Sequence, residues 1–85
     1  MQLGGNVTPM VIMYTTPTCG YCKIAKKFLE KNHVSFVEKD LVLDPGARDE
    51  FRTKTDATMV PTFDIDGQII VGYDEEELYD ILVKK

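Results

Sequence analysis

Apolar positions along this chain fall into short runs and stripes, and their spacing predicts the elements. Met10-Val11-Ile12-Met13-Tyr14 is uninterrupted, as expected of a strand covered on both faces. Ile24, Ala25, Phe28 and Leu29 recur at the i, i+4 spacing of one helix face, with Lys23, Lys26, Lys27, Glu30 and Lys31 opposite, which predicts a helix from about Gly20 to Lys31. Asn32-His33 closes it, two residue types that tolerate the left-handed conformation. Val34-Ser35-Phe36-Val37-Glu38 reads as a second strand, and strand-helix-strand implies a parallel pair with a right-handed crossover. Asp44-Pro45 supplies an N-cap and a first-turn proline for a second helix, running to about Lys54 with Ala47 and Phe51 inward. Pro61 to Ile65 alternates as a strand, Asp66-Gly67 is a hairpin turn, and Gln68 to Val71 returns antiparallel. Asp74 caps a last helix with Glu77 as its capping-box partner, Leu78, Ile81 and Leu82 as its buried stripe, and Lys84 and Lys85 at its negative end.

The order βαβαββα predicts an α/β fold, a four-stranded mixed sheet with helices on both faces. Residues 1–9, with two adjacent glycines and no periodicity, read as a flexible leader to a single domain over 10–85. At 44% apolar and 28% charged, the composition is that of a globular protein, and the longest apolar run is too short to span a bilayer. A net charge of -4 argues against nucleic acid as a partner. The charge is uneven: residues 1–33 carry four lysines against one glutamate, the remainder six basic against thirteen acidic residues. A monomer in the cytoplasm is expected.

The only two cysteines stand in Thr18-Cys19-Gly20-Tyr21-Cys22, where the first strand gives way to the first helix. Chemistry in open α/β sheets gathers at such strand ends. Two intervening residues put the first sulfur at the helix N-terminus and the second about one turn in, close enough for a disulfide. Unpaired N–H groups favour the thiolate of the outer sulfur, which makes Cys19 the nucleophile and Cys22 the resolver. For a thiol in general, lowering the pKa from about 8.5 to about 6 raises the thiolate fraction at neutral pH from about 3% to about 90%. Much of that gain is returned as lower nucleophilicity, so the larger benefit is a better leaving group. A structural disulfide would close too small a loop to constrain the unfolded chain, and a zinc site needs four ligands where His33 is the only histidine. Tyr14 is expected in the core, and Tyr21 either covers the sulfurs or contacts substrate.

From Met10 to Leu82 the chain resembles the glutaredoxins of the thioredoxin-like superfamily, on Cys19-Gly20-Tyr21-Cys22, Met59-Val60-Pro61 and Gly72-Tyr73-Asp74. The resemblance implies dithiol–disulfide oxidoreductase activity on protein disulfides or glutathionyl mixed disulfides, with glutathione as cosubstrate and no tightly bound cofactor or metal. It implies a cis Pro61 facing the cysteines, Val60 presenting backbone groups to a peptide thiol, and Gly72, Tyr73 and Asp74 along the γ-glutamyl end, with the start of the last helix open to its carboxylate. Three positions depart from the family pattern: Gly20 replaces proline, Thr16 a lysine, and Tyr73 a second glycine. Arg48 and Arg52 would serve as carboxylate partners only if they faced the site; mid-helix exposure is the plainer expectation. Two alternatives remain open: electrons supplied by thioredoxin reductase, and a [2Fe-2S] cluster held between two protomers by Cys19 and glutathione.

Overall fold

A computed structural model describes residues 10–83; the expected leader over residues 1–9, and Lys84 and Lys85, lie outside the described residues. The elements are β1 (Val11–Thr15), α1 (Gly20–Lys31), β2 (Val37–Asp40), α2 (Pro45–Lys54), β3 (Thr62–Ile65), β4 (Gln68–Val71) and α3 (Glu75–Leu82). The sheet runs β2-β1-β3-β4, with β1 parallel to β2, and β3 antiparallel to both β1 and β4. This is the predicted fold, and it brings the end of β1, the end of β2 and the start of β3 to one edge.

The caps follow the residues that foretold them. Asp44 accepts from Gly46 N–H and Ala47 N–H at 3.0 and 3.2 Å, with Pro45 in the first turn. His33 takes φ 59° after α1, while its own N–H bonds Glu30 C=O and that of Val34 reaches back to Leu29 C=O. That pair of bonds satisfies carbonyls the helix end would otherwise leave open. Asp66 and Gly67 turn the hairpin with φ 51° and 94°, the two positive values this tight turn demands.

Three strands and one burial assignment differ from expectation, the first strand spanning Val11–Thr15 and leaving Met10 63% exposed before it. The second strand begins at Val37 rather than Val34, because the ladder with β1 opens at Ile12–Val37 and runs on to Thr15–Asp40. Val34 and Phe36 are extended approach residues, half-buried against the core without ladder partners. The third strand begins at Thr62, one residue after Pro61, which has no N–H to give a ladder. Ile24, which the helical spacing puts on the buried stripe of α1, is 49% exposed, since the stripe that meets the sheet is Cys22, Ala25, Phe28 and Leu29.

Strand alternation gives the sheet two unlike faces. Val11, Met13, Phe63, Ile65 and Ile70 pack with Ala25, Phe28 and Leu29 of α1 and Leu78 of α3 in a continuous apolar core. Each fully buried leucine or phenylalanine there contributes about 1.5–3 kcal/mol. Against α2 the contacts are mixed: Tyr14 packs its ring on Phe51 at 5.1 Å, and its hydroxyl donates to Glu50. Lys39 Nζ reaches the same carboxylate at 2.7 Å, and Lys54 Nζ binds Asp64 at 2.5 Å while lying 5.7 Å from the centre of the Tyr14 ring. These groups tie α2 to β1, β2 and β3.

Candidate active site

After β1, Thr16-Pro17-Thr18 carries the chain to Cys19, which is the N-cap of α1 with extended φ/ψ of -84° and 112°. At that position a side-chain acceptor ordinarily takes a first-turn N–H, and the Cys19 sulfur does so: Cys22 N–H donates to Sγ at 3.1 Å. The start of α1 also carries the positive end of the helix dipole, and the Cys22 N–H is the helix donor that reaches the Cys19 sulfur. Cys19 is half-buried rather than fully exposed, and Cys22, one turn in, is only 3% exposed. Burial pushes the Cys22 thiol up to about 12, helped by contact with Cys19 and opposed by a backbone hydrogen bond at Thr16. Cys22 is therefore a protonated thiol at neutral pH, while Cys19 is the more accessible sulfur of the pair.

The second wall of the site comes from the loop before β3. Val60–Pro61 is cis, as the family resemblance implied, and the Cys19 thiol donates to Val60 C=O at 3.6 Å. Pro61 is fully buried, and its carbonyl accepts from Gly72 N–H at 2.8 Å, which fixes the end of β4 beside it. Gly72 has φ 85°, so a side chain there would be strained. Tyr73 turns its ring edge-on to Phe28 at 6.3 Å and hydrogen-bonds Glu75 through its hydroxyl at 3.2 Å.

Beside the Cys19–Val60 contact lies a cavity of about 360 Å³. Tyr21, Val60, Pro61, Gly72, Tyr73 and Asp74 all line it, so every expected site residue other than the two cysteines meets there. Met59 and Glu77 line it too. Neither was singled out: Met59 was legible only as the neighbour of Val60, and Glu77 only as a capping residue. Asp74 Oδ1 does accept from Glu77 N–H at 3.2 Å, which is the forward half of the expected capping box. With Glu75, Glu76 and Glu77 in its first turn, the start of α3 sets three carboxylates beside its backbone N–H groups.

A second cavity, of about 420 Å³, opens at the same sheet edge on the α2 side. Arg48 and Arg52 line it with Leu41, Phe51 and residues 55–58, ending two residues before Val60. Both arginines are exposed, as mid-helix positions suggested, but both also face a hollow that adjoins the site loop. Beneath Cys22, Glu38 of β2 takes the Lys26 ammonium at 2.8 Å and the buried Thr15 hydroxyl at 2.9 Å. Nothing in the strand pattern around Glu38 marked it as a neighbour of the thiols. Among the described residues, no cluster of three His, Cys, Asp or Glu side chains is arranged for a metal, and no helix is long and apolar enough to cross a membrane.

A family model described as Glutaredoxin matches residues 11–70. The chain belongs to the glutaredoxin family. Among its relatives is a glutaredoxin-like 8.6 kDa protein in the rubredoxin operon of Clostridium pasteurianum, 38% identical over 76 residues, which are 89% of this chain and all of that protein. Glutaredoxin 3 of Escherichia coli is 38% identical over 65 residues, covering 76% of this chain and 78% of the relative. In three dimensions, a thioredoxin-like protein of known crystal structure superposes with a TM-score of 0.80 at 36% identity, over 85% of this chain and 99% of that one. Within this glutaredoxin fold, the paired thiols at the head of α1 and the cis-proline loop stand together. Thiol–disulfide exchange is the chemistry of the family in general.

Proposed function

We propose that this glutaredoxin is a glutathione-linked dithiol–disulfide oxidoreductase that reduces protein disulfides or glutathionyl mixed disulfides in a reducing compartment, the cytoplasm. The observation that carries the reading is the position of Cys19 Sγ: 3.1 Å from a helix N–H, 3.6 Å from Val60 C=O, and beside a cavity of peptide size. An extended thiol peptide can pair its backbone with Val60 as a short added strand, which aims its sulfur at Cys19.

In the first step the Cys19 thiolate attacks one sulfur of the substrate disulfide, forming a mixed disulfide and expelling the first sulfur as a thiolate, which takes a proton from water. Cys22 then attacks Cys19 Sγ, the second thiol leaves with the proton that Cys22 gives up, and the protein retains a Cys19–Cys22 disulfide. Burial is the first cause that holds the Cys22 proton on and contact with Cys19 adds to it; forming the mixed disulfide removes only the Cys19 share. Two glutathione thiols return the pair to the dithiol and depart as glutathione disulfide.

For glutathione itself, the acidic start of α3 offers Asp74 and Glu77 to the γ-glutamyl ammonium, and the Arg48–Arg52 hollow offers the glycyl carboxylate the positive charge that Thr16 lacks. The test is NADPH oxidation with glutathione plus glutathione reductase, compared with thioredoxin reductase alone. Turnover with the first pair supports the reading. Turnover only with thioredoxin reductase transfers the role to a second reading, which Thr16, Tyr73 and the 36% identical thioredoxin-like structure favour. The cluster-carrier alternative asks only one accessible thiol of each chain, because two Cys19 and two glutathione sulfurs would supply the four thiolates, and colourless protein after anaerobic reconstitution with iron and sulfide would rule it out.

A further inference from the structure

Tyr73 lines the site cavity on one side and a second hollow on the other. This second hollow, about 280 Å³, lies between α1 and α3, with Ile24, Phe28, Tyr73 and Tyr79 as its apolar lining. Ile24 of α1 and Tyr79 of α3, 49% and 44% exposed, leave apolar surface open on both of its helical walls. Lys27 and Lys31 stand one turn apart on the α1 rim, and Glu75 on the α3 rim is engaged by the Tyr73 hydroxyl. Lys26, Lys39 and Lys54 are each paired with a carboxylate, whereas among the described residues Lys27 and Lys31 have no such partner.

We propose that this hollow docks the segment of a protein substrate that flanks its disulfide, taking an aliphatic or aromatic side chain between Ile24 and Tyr79 and an acidic side chain against Lys27 and Lys31. The proposal rests on the thiol–disulfide reading above. Its occupant follows from continuity and charge. A chain whose disulfide sits at Cys19 and which leaves past Tyr73 enters the hollow directly, while a small disulfide fills only the first cavity. The protein carries net -4, so an acidic segment is repelled by most of its surface and attracted by the lysine rim of α1. Glu75 of α3 stands across from that rim, so a uniformly acidic surface does not fit; one or two acids on the α1 side of an apolar residue do.

The test is a single-turnover reaction of pre-reduced protein with three disulfides: hydroxyethyl disulfide, and two peptides with the same internal disulfide, one followed by Leu-Glu-Glu and the other by Leu-Lys-Lys. Wild type should react about tenfold faster with the acidic than with the basic peptide at low salt, with the gap closing at high salt. The Lys27→Glu/Lys31→Glu variant should reverse that preference while reducing hydroxyethyl disulfide at the wild-type rate. Lys27→Gln/Lys31→Gln should fall between. A preference unchanged by the reversal overturns the proposal. So does an equal loss on hydroxyethyl disulfide, which would place the effect at the thiols, or a change in sedimentation coefficient, which would make the hollow a contact between copies. If wild type reduces none of the three, the thiol–disulfide reading itself has failed.

Discussion

Replacing Glu50 with Gln removes one negative charge from the polar cluster that holds α2 on the sheet, and its consequence can be worked through. The carboxylate receives Lys39 Nζ at 2.7 Å, Lys54 Nζ at 3.5 Å and the Tyr14 hydroxyl. Hydrogen bonds from Lys39 first, and then Tyr14, lower its pKa from an ordinary 4.5 to about 2. A shift of that size is worth about 3 kcal/mol for a carboxylate shielded from water. The side chain is 31% exposed, and solvent screening reduces the figure to about 1–2 kcal/mol. Because the folded value is depressed, this stability is complete above the unfolded value near 4.5 and is lost as pH falls toward 2. Glu50→Gln should therefore lower the melting temperature by about 5–10 °C at pH 7 for a domain of this size. Urea melts of both proteins at a series of pH values should show the difference constant from pH 8 to 6 and shrinking below 4.5. A Gln variant as stable as wild type at neutral pH, or a deficit that persists undiminished at pH 2.5, would refute the reasoning.

Other consequences concern the site. Gly20 opens α1, and a Cβ built there meets nothing within 4 Å, so Gly20→Pro should raise stability in urea by about 0.4–1 kcal/mol by stiffening the unfolded chain at a position that tolerates proline; destabilisation would contradict it. Asp74→Ala should cost about 1 kcal/mol through the lost cap and raise the KM for glutathione several-fold with kcat little changed, while Asp74→Asn should keep the cap and show only the kinetic effect. With its thiol pushed up to about 12, Cys22 is about 0.001% ionised at pH 7, so iodoacetamide should label Cys19 alone in the reduced protein. In Cys19→Ser, labelling of Cys22 should keep climbing through pH 10, and a plateau near pH 8 would contradict the burial argument.

Signals that are local in sequence survived into the structure. Asp44-Pro45, Asn32-His33 and Asp66-Gly67 each dictate backbone geometry within two or three residues, and the turn or cap they predict is present. The thiols were legible for the same reason, since two intervening residues fix where each sulfur sits on a helix. What was not legible depends on partners distant in the chain. The start of β2 is set by register against β1, which the hydrophobic run of Val34 and Phe36 cannot report. Ile24 fits a helical stripe, yet its rotation about α1 relative to the sheet is decided by Ala25 and Leu29, which pack deeper. The Tyr14–Glu50 bond spans 36 positions, and it made a tyrosine correctly expected in the core part of a polar network as well. Arg48 and Arg52 read as solvated helix positions because their cavity is completed by residues 55–58, which have no regular pattern.

The most direct measurement is capture of the mixed disulfide. Reduced Cys22→Ser, treated with glutathione disulfide, should accumulate one glutathionyl group per chain, mapped by peptide mass to residue 19, while wild type passes on to the internal disulfide. Cys19→Ser at equal exposure should remain unmodified. An adduct forming at Cys22 of that variant as fast as at Cys19 of the other would contradict the division of labour between the two sulfurs.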